Sequence, residues 1–278
     1  IMSIIKLLDE FTTDNLTKKL SSRREVFSTF NSIGKKAALA AVPFGLGSLA
    51  NTASAATLVQ EDDITGALQL ALTLEYLEAE FYMKALDSGV LAQDSTGKAE
   101  AIYMQISKHE DAHVALLQNA LAENSIDSPT FDFTAGGMFD PFGDNGTDPA
   151  TAYQQLLILA QAFEDTGVRA YKGQAGNLMS SGDVLTIGLQ IHSVEARHAS
   201  EIRRLRGLKG WITQDFPETG VDATNAVYAG EDNTTHGGVD VTTLGSGSPF
   251  SSDASTQAYD ETIDGTTAAQ IAGLFIQS

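Results

Sequence analysis

The chain has no cysteine among its 278 residues. Disulfides, thiolate nucleophiles, zinc–cysteine sites and iron–sulfur clusters are therefore excluded within it. Any redox chemistry must run on histidine and carboxylate ligands, with electrons supplied by another molecule. Basic residues are also scarce: 17 Lys and Arg stand against 36 Asp and Glu, a formal charge of −19. Residues 1–56 hold 7 of the basic and 4 of the acidic residues, so the remainder carries 10 against 32 and stands at about −22. Such a surface repels nucleic acid phosphates and anionic lipid headgroups. Long apolar runs are lacking too. The best stretch, Ala37 to about Leu49, is rich in small residues and contains Pro43, which makes it a weak membrane span.

That stretch belongs to a basic leader, taken as residues 1–56. Ser22-Arg23-Arg24-Glu25-Val26-Phe27 resembles the twin-arginine export motif, and Ala53-Ser54-Ala55 offers a small-x-small cleavage site after Ala55. The expectation is export to the periplasm or cell envelope, with no stable membrane span after leader removal. Twin-arginine export carries folded proteins, which suits a protein that acquires metal before it leaves the cytoplasm. A basic amphipathic helix that stays attached is the plainer alternative.

Four long helices read from the apolar period. The first covers about 61–88, with Leu68, Ala71, Leu72, Glu75, Ala79 and Tyr82 on one stripe, acidic residues 61–63 at its start and Gly89 after its end. The second runs from about 96 to 123 with Ile102, Ile106, Glu110, His113, Leu117 and Ala120. The third runs from about 148 to 173 with Leu157, Ala160, Glu164, Val168 and Tyr171, started by Asp148-Pro149. The fourth runs from about 181 to 206 with Val184, Ile187, Ile191, Glu195, His198, Ile202 and Leu205, capped by Ser181 or Ser180 and stopped by Gly207. Short connections make the first and last pairs antiparallel hairpins. The link between hairpins, about Asn124 to Thr147, is the one long crossover of an all-α four-helix bundle over residues 57–206. Residues 207–278 read as an irregular wrap anchored by Trp211, Phe216 and Tyr228, ending in a short helix over Thr267–Ile276.

Two signatures occur twice, in the same order. Glu75 is followed seven residues on by Tyr82, as Glu164 is by Tyr171. Glu-x-x-His appears as Glu110–His113 and as Glu195–His198, 85 residues apart. Three residues is close to one helical turn, so each Glu and His of a pair share a face. All six residues lie on core stripes, where a lone carboxylate is costly and four together repel. Two divalent cations offset both costs, with four glutamates against four positive charges and two neutral imidazoles completing the ligand set. The metal candidates are thus Glu75, Glu110, His113, Glu164, Glu195 and His198. Glu110 and Glu195 are best placed to bridge, with the metals about 3.5–4 Å apart. Glu78, three residues after Glu75, is the alternative ligand; Glu75 is preferred because only it has the matching tyrosine. Tyr82 and Tyr171 read as core residues whose hydroxyls donate to ligand carboxylates. His109 reads as packed or surface, His192 as structural or supporting, and His236 receives no role.

Leu-Glu-Tyr-Leu-Glu-Ala-Glu-Phe-Tyr (74–82) and Ala-Phe-Glu-Asp-Thr-Gly-Val-Arg-Ala-Tyr (162–171) resemble the ferritin-like superfamily. Within it they look like the exported single-domain proteins grouped with plant desiccation-related proteins. The likeness covers about 61–206, and more loosely Ala258–Glu261 and the terminal helix. It implies a ferritin-like bundle and the same six ligands for two divalent ions, Fe or Mn, but no particular activity. The chain departs from rubrerythrins in lacking their cysteines, and from storage ferritins in its leader and acidic tail.

Three functions compete. A di-iron or di-manganese redox protein would take a small oxidant, peroxide or oxygen; peroxide disproportionation needs no outside electrons. A non-enzymatic envelope or stress-protection protein would hold metal as a brace. Iron storage is third, and with it assembly of copies through helix faces.

Overall fold

The computed structural model describes residues 64–215, 219–245 and 250–277. The leader expected over residues 1–56, residues 57–63 and Phe216 lie outside the described residues. Four long helices form the bundle: α1 Ile64–Asp87, α2 Ala99–Leu121, α3 Pro149–Leu178 and α4 Gly182–Leu205. The α1–α2 and α3–α4 hairpins make the most extensive packing, and α1 also packs on α3. No described helix is long and apolar enough to cross a membrane.

Local chemistry sets the helix ends. Asp94 accepts from the Lys98 and Ala99 backbone N–H groups at 2.7 and 2.8 Å, closing the free donors at the start of α2. Asp148 accepts from Thr151 N at 3.0 Å, with Pro149 at the first helical position of α3. Ser181 holds the cap position of α4 without a side-chain cap bond. At the end of α4 the N–H groups of Gly207 and Leu208 donate to the carbonyls of Arg204 and Arg203, the paired bonds that end a helix in a left-handed glycine.

The helices differ in how they are covered. α2 and α4 bury one stripe each, whereas α1 and α3 are buried nearly all round. The crossover and the C-terminal segment supply the extra cover. Phe133 and Phe142 of the crossover pack with Phe81 of α1 at 5.4 and 5.7 Å between ring centroids, and Phe163 of α3 meets Phe275 at 4.9 Å. The C-terminus then pairs with the crossover: Asp132 N donates to Phe275 O at 2.7 Å and Gln277 N to Thr130 O at 2.9 Å.

The segment after α4 contains the short helices α5 Asn225–Tyr228 and α6 Ser252–Thr256, and the two-residue strands β1 Thr235–His236 and β2 Val239–Asp240. A terminal helix, α7 Gly265–Gly273, packs on α1 and α3. It begins and ends earlier than 267–276, because Asp264 caps it and residues 274–277 turn away to meet the crossover. Tyr228 is an anchor, 1% exposed, but Trp211 is not: it is 47% exposed. The lock on the bundle is instead polar. Arg169 of α3, buried, pairs with buried Glu231 at 2.7 Å and donates to the carbonyls of Val227, Ala229 and Glu261. Arg203 of α4 pairs with Asp165 at 2.5 Å, and Tyr228 donates to the same carboxylate at 2.8 Å.

Candidate metal centre

The structure brings all six of Glu75, Glu110, His113, Glu164, Glu195 and His198 together in the bundle core, none more than 8% exposed. Their donor atoms form two groups in which all atoms lie within 4.8 Å of one another. One is Glu75, Glu110, His113 and Glu195; the other is Glu110, Glu164, Glu195 and His198. Glu110 and Glu195 belong to both. Glu110 turns Oε2 to His113 Nδ1 at 2.9 Å and Oε1 to His198 Nδ1 at 2.9 Å, so it spans the two imidazoles. The rings of His113 and His198 are 6.3 Å apart.

The two tyrosines cross over. Tyr82 of α1 donates to Glu164 of α3, and Tyr171 of α3 donates to Glu75 of α1 at 2.5 Å. Burial holds both phenols well above their usual range, so they remain protonated donors. Each fixes one oxygen of its carboxylate and leaves the other facing the centre.

The fit to metal ions shows in what these atoms do not do. His113 Nδ1 lies within 3.2 Å of oxygens from Glu75, Glu110 and Glu195, three acceptors for one N–H. His198 Nδ1 lies 2.9 Å from Glu110 Oε1 and 3.3 Å from Glu164 Oε2 yet makes hydrogen-bond geometry with neither. Both oxygens of Glu195 are buried with no hydrogen-bond partner among the described residues, as are Glu110 Oε1 and Glu164 Oε2. Lone pairs that converge on shared points without bonding each other suit a cation, and unmet buried carboxylate atoms are otherwise costly.

The electrostatics without metal agree. Burial, opposed by the His113 hydrogen bond, pushes Glu75 up to about 7, and burial with neighbouring carboxylates pushes Glu195 well above the carboxylate range. Burial also raises Glu164. Burial would raise Glu110 as well, but the His113 hydrogen bond and the His198 imidazole 2.9 Å away hold it down at about 2. Burial would lower the histidines, but the surrounding carboxylates lift His113 to about 12 and His198 to about 11. Protons on the imidazoles stand where positive charge is needed.

Two residues sit differently from their sequence reading, and a third, His192, sits as read. Glu78 is not an alternative to Glu75: both are buried, and burial with Glu195, Glu164, Glu75 and Glu110 nearby holds Glu78 well above the usual range. It belongs to neither ligand group. The signal was in the sequence, since 75, 78 and 82 share one face. His109 is neither surface nor mere packing, because its Nδ1 lies 2.8 Å from His198 Nε2. No signal within one helix reveals that contact. His192 is structural: Nδ1 meets the Val168 carbonyl at 3.0 Å.

A helical bundle with carboxylates and Glu-x-x-His pairs turned inward defines a protein class, and the comparison with known families agrees with it. The family model of the ferritin-like domain matches residues 63–208, more than half of the chain. The chain belongs to that family. No curated protein and no solved structure matches it.

Proposed function

We propose that this chain is an exported protein whose bundle holds a carboxylate-bridged pair of iron or manganese ions and uses it on peroxide or dioxygen. One observation carries the reading: the two groups of convergent donors share Glu110 and Glu195. The charge balance supports it. Glu75, Glu110, Glu164 and Glu195 bring four negative charges against the four positive charges of two divalent ions, while Glu78, held by burial well above the usual carboxylate range, belongs to neither donor group. An oxygen-rich set with two imidazoles suits iron or manganese.

When bound, such a pair supplies two adjacent Lewis-acid and redox centres for O–O chemistry. The chain's own residues prepare the place. Tyr82 and Tyr171 orient Glu164 and Glu75, the apolar stripes exclude bulk water, and Glu110 and Glu195 tie the two halves of the bundle to one centre. Disproportionation is the reaction that needs no other reductant: one peroxide gives two electrons and two protons to become dioxygen, and a second takes them to become two waters. The enclosure of all six side chains favours a second reading, in which the ions brace the bundle by binding only its native state.

Metal analysis of protein from its native source, followed by oxygen-electrode assay with hydrogen peroxide, separates the readings. Two ions per chain with oxygen release support the first; two ions without turnover leave the brace. A chain purified without iron or manganese refutes both. Export is part of the proposal and rests on Ser22–Phe27. Replacing Arg23 and Arg24 together by lysine should trap a longer precursor inside the cell, and unchanged export would remove that part.

A further inference from the structure

The internal repeat relates Glu110–His113 to Glu195–His198, but the residue before each glutamate breaks it: His109 in one half, Val194 in the other. His109 lies in a line of polar contacts from the surface to the centre. Exposed Gln105, one turn earlier on α2, places its amide 2.6 Å from His109 Nε2. His109 Nδ1 is 2.8 Å from His198 Nε2, and the two rings lie 5.1 Å apart and 12° from parallel. The far nitrogen of His198, Nδ1, faces Glu110 and Glu164 at 2.9 and 3.3 Å.

We propose that His109 is a positioning residue for the ion held by Glu110, Glu164, Glu195 and His198, and that it makes the two ion positions inequivalent. The inference rests on the metal reading above. A neutral imidazole carries one proton, and the nitrogen that binds metal must be the bare one. An ion on His198 Nδ1 therefore requires the proton on Nε2, and an acceptor must meet it there; His109 Nδ1 is that acceptor. His109 then carries its own proton on Nε2, where the Gln105 amide receives it through its carbonyl end, since the two ends of an amide exchange by half a turn. The chain of contacts thus runs outward from the ion with every donor met. It orients the plane of His198 before metal arrives and keeps the Nε2 proton in place, so that the Nδ1 proton is the one an ion displaces. Val194, which holds the equivalent position in the repeat, has no polar atom with which to do the same for His113. Among the described residues no histidine meets His113 as His109 meets His198.

The test is a titration of the metal-free full chain with manganese or zinc, watched by calorimetry, together with nitrogen-15 spectra of the imidazoles in the zinc-loaded protein. The wild type should take two equivalents in two phases. His109→Leu should weaken one equivalent about 10–100-fold, the usual loss when a ligand histidine loses its supporting partner, and leave the other unchanged. His109→Asn, whose amide oxygen lies near the position of Nδ1, should recover part of the loss. The spectra should show the His198 proton on Nε2, a readout that holds even if the leucine variant misfolds. Two equal equivalents unaffected by His109→Leu, or a His198 proton on Nδ1 in the loaded protein, would overturn the inference while leaving the metal centre standing. A chain that binds neither manganese nor zinc would instead remove the centre, and the inference with it.

Discussion

Gly167 occupies the interior of α3, three residues after Glu164, where helix propensity alone would disfavour it. Its value is space. A Cβ at that position would lie 3.1 Å from Glu195 Oε2, 3.5 Å from Glu195 Cγ and 3.5 Å from Glu78 Oε1. The first contact is a few tenths of an ångström too close for comfort, so in Gly167→Ala the Glu195 carboxylate must retreat by about that much. In metal-free protein the retreat is cheap, because neither oxygen of Glu195 has a hydrogen-bond partner to lose among the described residues. Alanine is then worth roughly 0.8–1 kcal/mol over glycine in a helix, a rise of about 2–4 °C in Tm for a domain of this size. In loaded protein the same retreat moves a ligand common to both groups, where distances are held to within about 0.2 Å. Affinity for both ions should fall by about tenfold or more, equivalent to about 1.4 kcal/mol. Thermal unfolding of the metal-free protein and metal titration should therefore move in opposite directions. Unchanged ion affinity together with raised stability would refute the role given to Glu195. Gly173, further along α3, is the control: a Cβ there would collide with the backbone carbonyl of Ile263, which has no side-chain freedom. Gly173→Ala should cost about 1–3 kcal/mol of stability and leave the ion affinity of the folded protein alone.

Three more outcomes follow from the geometry. Glu110→Ala removes the carboxylate that faces both imidazoles and should lose both ions, whereas Glu78→Gln should keep both; elemental analysis of the purified variants decides. Metal-free protein should be less stable at pH 7.5 than at pH 5: Glu75 is raised from its usual 4.5 to about 7, so its contribution is full below 4.5 and lost as pH rises through 7, about 2 kcal/mol over that interval. The raised histidines pull the same way above 6.5, while Glu110, held at about 2, withdraws stability only in acid; a urea series showing stability rising from pH 5 to 7.5 would contradict this. Arg169→Met leaves Glu231 buried without its cation and should cost about 3–5 kcal/mol, with residues 219–263 becoming the first site of protease cleavage.

The bundle was legible because its evidence is local. Period, caps and a single long link are written in consecutive residues, and they place α1 to α4 to within a few residues except at the end of α3. The sequence reading ends the third helix at about 173, yet it continues to Leu178. Gly173 lies within it, where the Ile263 backbone crosses too close for a Cβ. What the sequence hides is contact between distant segments. Arg169 sits on a helix as a charged residue should on a surface, and only the fold shows that its partners lie 58 to 92 residues away. His109 is hidden for the same reason, since its meeting with His198 depends on the relative height of α2 and α4.

The repeat itself explains why it had to be broken. Two identical hairpins would place a glutamate at 78 and another at 167, facing each other across the centre, for six carboxylates against the four positive charges of two divalent ions. Glu78 and Gly167 are that pair as it stands, and Glu78 Oε1 lies 3.5 Å from where a side chain at 167 would begin. Removing one member relieves volume and charge in a single change. Burial, with Glu195 and the other carboxylates nearby, holds the surviving Glu78 well above the usual carboxylate range. A carboxylic acid held next to a shared ligand is asymmetric by construction, as is the half served by His109. Both departures fall on residues that touch the ligands, whereas the crossed tyrosine bonds to Glu164 and Glu75 keep the symmetry. The repeated residues make the cage, and the unrepeated ones, Glu78 against Gly167 and His109 against Val194, make its two halves chemically different.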